Sequence, residues 1–147
     1  MPTTPLEATR FPPTRLLPTR FLRVALLGDA AASGATGLLL AAGAGPLAPL
    51  LGLPEPLLRG AGLMLLPYAA IVAWLGTRPA PGRGAVRAVV ALNLLWVVDS
   101  LLLLALRPVA PTGLGTAFVL LQALVVLGFA LAQWAGLRQA ATAAVPA

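Results

Sequence analysis

The sequence predicts an all-α integral membrane protein, an up-and-down four-helix bundle with both termini in the cytoplasm. Of its 147 residues, 59% are hydrophobic and only 10% are charged, whereas about a quarter of the residues in soluble domains are charged. The mean hydropathy is +0.94. This composition excludes a soluble domain. The fold then follows from four long apolar stretches, the short links between them and the placement of the arginines.

Each apolar stretch is long enough to cross a hydrocarbon core, which takes ~20 helical residues. The predicted spans are 22–44, 57–77, 85–106 and 112–137. They form one bundle, 22–138, between a cytoplasmic tail, 1–21, and a second tail, 139–147. Because the links are short, consecutive spans are expected to pack as antiparallel neighbours. The apolar, proline-rich link 45–56 is expected to lie along the membrane interface.

Arginine placement predicts the orientation, since basic residues near span ends are retained on the cytoplasmic side. Eight of the ten arginines lie on the side of the termini, and only Arg59 and Arg107 lie on the other. Both termini are therefore predicted to be cytoplasmic, in an inner (plasma) membrane. A cleaved signal peptide ending near 30–32 is the alternative, but the apolar run continues to Ala44.

The N-terminal tail repeats a Thr-Arg pair followed by an apolar residue, with arginines at Arg10, Arg15 and Arg20. Prolines between the repeats exclude a continuous helix and favour an extended chain. Two interpretations stay open. The arginines either serve only to set the orientation, or they also contact lipid headgroups or a partner.

Polar residues inside the spans are the candidate site: Asp29, Ser33, Tyr68, Asn93, Trp96, Asp99, Gln122 and Gln133. An aspartate at the centre of a span costs ~2.5–3.5 kcal/mol on insertion scales, so it must be neutralised, hydrated or paired, and it is a functional candidate by default. The competing interpretation is a protonated aspartate that only joins helices, through hydrogen bonds worth ~0.6 kcal/mol each on average.

Depth in the membrane predicts two polar layers. At ~1.5 Å per residue, one layer lies ~8–9 Å inside the cytoplasmic arginines; it contains Asp29, Asn93 and Gln133. A second layer, nearer the outside, is predicted to contain Tyr68, Asp99 and Gln122. The simplest arrangement that avoids lipid is an inward polar seam.

Two further residues in the spans have structural consequences. Trp96 lies in mid-membrane, and its indole N–H needs an acceptor, for which Asn93 or Gln122 is available. Pro67 cannot donate to the carbonyl of Leu63, so a kink or a free acceptor is expected there. It serves either as a hinge or only in packing. The first span also places small and polar residues on one face suited to close helix contact, namely Ala25, Asp29, Ser33, Gly37 and Ala41.

The sequence offers little for catalysis. It contains no histidine and no cysteine, which removes the usual ligands of haem, iron–sulfur clusters and zinc and the commonest general base. It also lacks a phosphate-binding glycine loop and an acidic cluster for a divalent metal. We therefore expect no catalytic residue, no metal, no cofactor and no nucleic-acid partner.

Several strings carry a resemblance: LLGDA at 26–30 with SG at 33–34, LRGAG at 58–62, LPYA at 66–69, NLLWVV at 93–98, QAL at 122–124 and GLR at 136–138. They resemble a group of small four-span bacterial membrane proteins of unknown function. The likeness covers 22–138 and omits the N-terminal tail. It implies a four-helix fold and brings no activity with it.

Three functions stay open. The favoured hypothesis is an accessory subunit that packs against other membrane proteins or a second copy, through its small-residue face and the layer of Asp29, Asn93 and Gln133. The first alternative is a small transporter in which Asp29 or Asp99 exchanges a proton or binds a cation while Pro67 allows rocking. The second is a module that binds a lipid or another hydrophobic molecule. The lipid bilayer is a partner in every case.

Overall fold

The computed structural model describes residues 19–106 and 108–142, which form four helices. The helices are α1, Arg20–Leu51; α2, Glu55–Thr77; α3, Arg83–Leu106; and α4, Gly113–Thr142. All four are long and apolar enough to cross a membrane, which confirms the predicted all-α membrane fold. Arg20 is exposed at the start of α1, whereas the predicted contacts of Arg10 and Arg15 lie outside the described residues.

Helix α1 is longer than predicted. It begins at a Thr19 cap, whose hydroxyl accepts from the backbone N–H of Leu22 at 3.2 Å. It ends at Gly52, whose φ of 63° is the left-handed conformation that glycine adopts most easily. The prediction that 45–56 form a link along the membrane interface is therefore wrong, because only 52–54 separate α1 from α2. The helix continues because Pro46 and Pro49 remove few backbone bonds, whereas an open loop in an apolar environment would leave many groups unpaired.

The contact between α1 and α2 is the most extensive in the bundle, and it depends on glycine. A Cβ atom at Gly62 would overlap the backbone nitrogen of Ala41 and lie 2.7 Å from the carbonyl oxygen of Gly37. Helix α2 thus covers the small-residue face of α1 at Gly37 and Ala41. Close backbone approach of this kind is how helices associate where lipid removes the hydrophobic driving force.

Two apolar clusters fill the interior. The first lies at the arginine-rich end, where 78–82 link α2 to α3, and all four helices contribute to it: Leu22, Leu26, Ala30, Val72, Leu75, Val86, Val89, Leu137 and Ala140. The second lies at the opposite end and contains Leu40, Ala44, Leu51, Leu53, Leu58, Leu65 and Val119. Helix α3 adds only partly buried residues to this second cluster.

The bundle is open on one side. Helix α1 packs against α2 and α4, and α3 packs against α4, but α2 hardly contacts α3. Their short link keeps these two helices together at the arginine-rich end, and toward the opposite end a cleft separates them. Of the neighbour contacts expected between consecutive spans, the one between α2 and α3 is therefore largely missing.

Candidate functional site

The carboxylate of Asp29 accepts hydrogen bonds from all four helices. Its Oδ1 atom accepts from the Ser33 hydroxyl on α1 at 3.1 Å. Its Oδ2 atom accepts from the Tyr68 hydroxyl on α2 at 3.0 Å, from Asn93 Nδ2 on α3 at 2.8 Å and from Gln133 Nε2 on α4 at 2.7 Å. Asp29 is 0% exposed. The four hydrogen-bond donors therefore offset the cost of burying this carboxylate away from water.

These five residues, which we call the Asp29 layer, meet because they lie at one depth. Asp29 follows the start of α1 by nine residues, and Gln133 precedes the end of α4 by nine. The structure thus brings Asp29, Asn93 and Gln133 together as the depth comparison predicts. Tyr68, which the sequence assigned to the other layer, belongs here as well. Tyr68 lies nine residues from Thr77, at the arginine-rich end, which is the depth of the Asp29 layer. The prediction of the other layer rests on its distance from Arg59, at the opposite end.

The Tyr68 hydroxyl has two acceptors and one proton. Besides Asp29 Oδ2, it lies 2.8 Å from Asn93 Oδ1. If Asp29 is ionised, Tyr68 donates to it, and Asn93 Oδ1 loses that donor. If Asp29 carries a proton, it donates to Tyr68, and Tyr68 donates to Asn93. The two protonation states of Asp29 therefore require different orientations of the Tyr68 hydroxyl. Asn93 Nδ2 also donates to Gln133 Oε1, at 3.3 Å.

Except for Tyr68, which is partly exposed, the residues of the Asp29 layer are buried. Asp29 and Gln133 are 0% exposed, Asn93 is 3% exposed and Ser33 is 6% exposed. Together with the covered small-residue face of α1, this means that the groups favoured by sequence as contacts to another protein are used inside the bundle. A surface that contacts another protein has to lie elsewhere.

The cleft between α2 and α3 has a volume of about 640 Å³. Its walls are mostly apolar, and they include Leu57 and Met64 on α2 and Leu92, Leu95 and Leu103 on α3. Polar side chains line it at Ser33, Tyr68, Asn93, Asp99, Ser100 and Gln122. Because Tyr68 and Asn93 belong to both the cleft and the Asp29 layer, the cleft ends on that layer.

Asp99 does not join the seam, so the expectation of an inward position is wrong for this residue. Seven residues separate Asn93 from Ser100, close to two full turns, so Ser100 takes the buried position. Asp99 is one position away, exposed, and lines the cleft. Among residues 19–106 and 108–142, it has no hydrogen-bond or ion-pair partner.

Trp96 and Gln122 also line the cleft, and both are half-buried. Within the described residues the Trp96 indole makes no hydrogen bond to Asn93 or Gln122, contrary to expectation. Asn93 is fully engaged in the Asp29 layer, and the Trp96 ring packs against the apolar cluster at the opposite end. Trp96 and Gln122 also line a smaller cavity of about 200 Å³ between α1 and α4.

Pro67 lies exposed within α2, directly before Tyr68, and the helix continues through it to Thr77. Its predicted role as a hinge stays a prediction. Within the described residues, no group of three or more His, Cys, Asp or Glu side chains could hold a metal ion.

Comparison of the chain with protein-family models, with curated proteins and with solved structures finds no match. The resemblance to small four-span bacterial membrane proteins therefore stays a prediction, and the functional argument rests on the Asp29 layer and the cleft.

Proposed function

We propose that this protein is a non-catalytic, multi-pass membrane protein that binds a small amphiphile from the bilayer in the cleft between α2 and α3. The observation that supports this most is the cleft itself, with apolar walls and a few polar groups in about 640 Å³. Small-molecule sites typically have ~300–1,000 Å³ and the same mixture of apolar walls and few polar groups.

The size of the cleft favours an amphiphile over a helix of a partner protein. On α2 the lining of the cleft runs from Pro56 to Tyr68, ~18 Å along the helix axis. A spanning helix of 20 residues is ~30 Å long, so it would extend beyond the cleft. An accessory subunit that holds a partner helix in this place is therefore less well supported than a binding module.

The cleft opens sideways, toward the position of the acyl chains. Met64 and Leu95 line it and are 70% and 54% exposed. A hydrophobic molecule dissolved in the bilayer would reach it without passing through water. The bound molecule would also cover apolar and polar surface that α2 and α3 leave without protein neighbours.

Location in an inner (plasma) membrane with cytoplasmic termini is part of the proposal. Of the seven arginines in the described residues, six lie at the arginine-rich end and only Arg59 lies at the opposite end. Arg78 also lies over the ring of Trp74, 4.0 Å from its centroid. Arginine and tryptophan together are typical of the region where a span meets the lipid headgroups.

Saturable binding of tritiated dodecanol to the protein in phosphatidylcholine nanodiscs tests the proposal, with empty nanodiscs subtracted. Gly60 lines the cleft, and a Cβ there would meet open space. Gly60→Phe would therefore add a ring at the lining of the cleft, with no clash at its Cβ atom. Gly128→Phe is the matched control, since Gly128 also has open space and lines neither cavity.

We expect wild type and Gly128→Phe to bind dodecanol to saturation and Gly60→Phe to lose most of this binding. Equal binding by the two phenylalanine variants would place the molecule outside the cleft. Absence of saturable binding in the wild type would contradict the proposed function.

A second candidate function, a proton-coupled transporter, is favoured by the position of Tyr68. Its hydroxyl contacts Asp29, and the residue also lines the cleft. The Tyr68 hydroxyl donates to ionised Asp29 and accepts from protonated Asp29. A molecule that displaced this hydroxyl would therefore change the relative stability of the two protonation states. Binding in the cleft and a proton on Asp29 would then be coupled.

Infrared difference spectroscopy tests this coupling. Transport by this route requires a carbonyl stretch of a protonated carboxylic acid that is absent in Asp29→Asn and changes when dodecanol fills the cleft. A band that is unaffected by dodecanol, or that persists in Asp29→Asn, would rule out Asp29 as the proton carrier.

A further inference from the structure

We infer that the cleft selects a cationic amphiphile, with the positively charged nitrogen paired with Asp99 and placed near the ring of Trp96. This inference rests on the proposed function and adds the chemical class of the ligand. Asp99 lacks a partner among the described residues, the rest of the cleft lining is uncharged, and an aromatic ring lies nearby in the same lining.

The two intramembrane aspartates differ in how their charge is compensated. Asp29 is enclosed and accepts from Ser33, Tyr68, Asn93 and Gln133. Asp99 is seven residues inside the end of α3, ~10 Å along the helix axis, and has no partner among residues 19–106 and 108–142. A carboxylate at such a depth must be neutralised, hydrated or paired. A bound cation would supply the pairing, whereas an anion would be repelled.

Asp99 is the one charged side chain among the described residues that line the cleft. Arg59, the basic residue within α2, is not part of the lining and pairs with Glu55. The polar groups that remain, such as Gln122, are neutral. The cleft is therefore an apolar space with a single negative charge, complementary to a molecule with an apolar tail and a single positive charge.

Trp96 supplies the second part of a cation site. It is three residues from Asp99, so the two side chains are neighbours on the surface of α3, and both line the cleft. Tryptophan is the aromatic side chain that attracts cations most strongly, and the attraction is larger where water is excluded. A carboxylate and an indole three residues apart in the lining of one cleft are a suitable pair for a substituted ammonium group.

Two probes with the same tail separate the headgroup from the hydrophobic contribution. Dodecyltrimethylammonium carries the charge, and dodecanol is its neutral counterpart. Binding is followed by the fluorescence of Trp96 in nanodiscs of zwitterionic phosphatidylcholine. The reference protein carries Trp74→Phe and Trp134→Phe, which replace two exposed rings outside the cleft and leave Trp96 as the single tryptophan.

In this reference protein we expect the ammonium probe to bind more tightly than dodecanol. Asp99→Asn, which keeps the shape of the side chain, should weaken ammonium binding by about tenfold or more, as expected when one of two closely paired charges is removed. Dodecanol binding should be unchanged in the same variant. Glu55→Gln is the matched control, because it removes a carboxylate outside the cleft and should leave both affinities as they were.

The outcomes separate the two levels of the argument. Saturable dodecanol binding with no preference for the ammonium probe, or equal ammonium affinity in the reference protein and Asp99→Asn, would overturn the inference and leave the proposed function standing. Failure of both probes to bind would overturn both. A loss of dodecanol binding in Asp99→Asn would also count against the inference, because it would mean that the substitution acts through the shape of the cleft.

Discussion

Replacing the carboxylate of Asp29 should weaken the whole bundle, because all four helices donate hydrogen bonds to it. Asp29→Leu removes the acceptor of Tyr68, Asn93 and Gln133. Interhelical bonds in membranes are worth ~0.6 kcal/mol on average and up to ~1.7 kcal/mol. With three such bonds lost, we expect the free energy of unfolding to fall by about 2 kcal/mol, with about 5 kcal/mol as the upper bound.

Asp29→Asn provides the comparison that separates hydrogen bonding from charge. Its carbonyl oxygen can take the position of Oδ2 and accept from the same three helices, while its amide can donate to the Ser33 hydroxyl, which accepts as well as donates. We expect this variant to lose less than ~1 kcal/mol. Ala31→Leu, on the exposed face of α1, controls for adding a leucine to the helix.

The assay is reversible unfolding in bicelles, measured by steric trapping, which yields the free energy of unfolding in a lipid environment. The order of stability should be wild type, then Asp29→Asn, then Asp29→Leu. If Asp29→Leu were as stable as Ala31→Leu, the Asp29 layer would not hold the helices together. If Asp29→Asn were as damaging as Asp29→Leu, the charge and not the hydrogen bonds would be the important property.

Three further predictions follow from other contacts. Gly62→Ala should lower the free energy of unfolding by more than ~2 kcal/mol because its Cβ would overlap the backbone of α1. Gly60→Ala is the control: its Cβ has open space, so it should be neutral or slightly stabilising. Equal effects of the two substitutions in the bicelle assay would contradict the close approach of α1 and α2. Tyr68→Phe should cost ~0.6–1.7 kcal/mol in the same assay, through loss of its bonds to the Asp29 layer, and an unchanged value would mean that the hydroxyl contributes nothing. Since the chain contains no cysteine, single cysteines at the exposed Pro54 and Pro79 can report the orientation: a membrane-impermeant maleimide should label Pro54→Cys in intact cells and Pro79→Cys only after the membrane is opened, and the reverse pattern would contradict cytoplasmic termini.

Much of the fold is predictable from this sequence because a membrane span has few alternatives. Long apolar stretches must form helices that satisfy their own backbone groups. Depth is also predictable, since each helical residue advances by a fixed rise. That regularity is why Asp29, Asn93 and Gln133 could be assigned to one layer before the helices were placed. Tyr68 lies near the middle of α2, where counting from the wrong end put it in the other layer.

The direction in which a residue faces is harder to predict, because both lipid and protein interior are apolar and the usual periodic signal is weak. This is why the exposed position of Asp99 and the missing contact between α2 and α3 were not foreseen. The extension of α1 through Pro46 and Pro49 escaped prediction for a different reason. The prolines predict an end of the helix, whereas the membrane environment favours keeping the remaining backbone bonds.

The separation of α2 and α3 in a bilayer is the most direct test of the account, because the proposed function depends on an open cleft between these helices. Spin labels at Met64 and Leu95, both exposed on opposite walls of the cleft, can be compared with labels at Thr77 and Gly84, beside the link. Dipolar spectroscopy in nanodiscs should give a longer distance for the cleft pair than for the link pair. A cleft pair as close as the link pair would mean that the two helices pack together along their length and leave no room for a ligand.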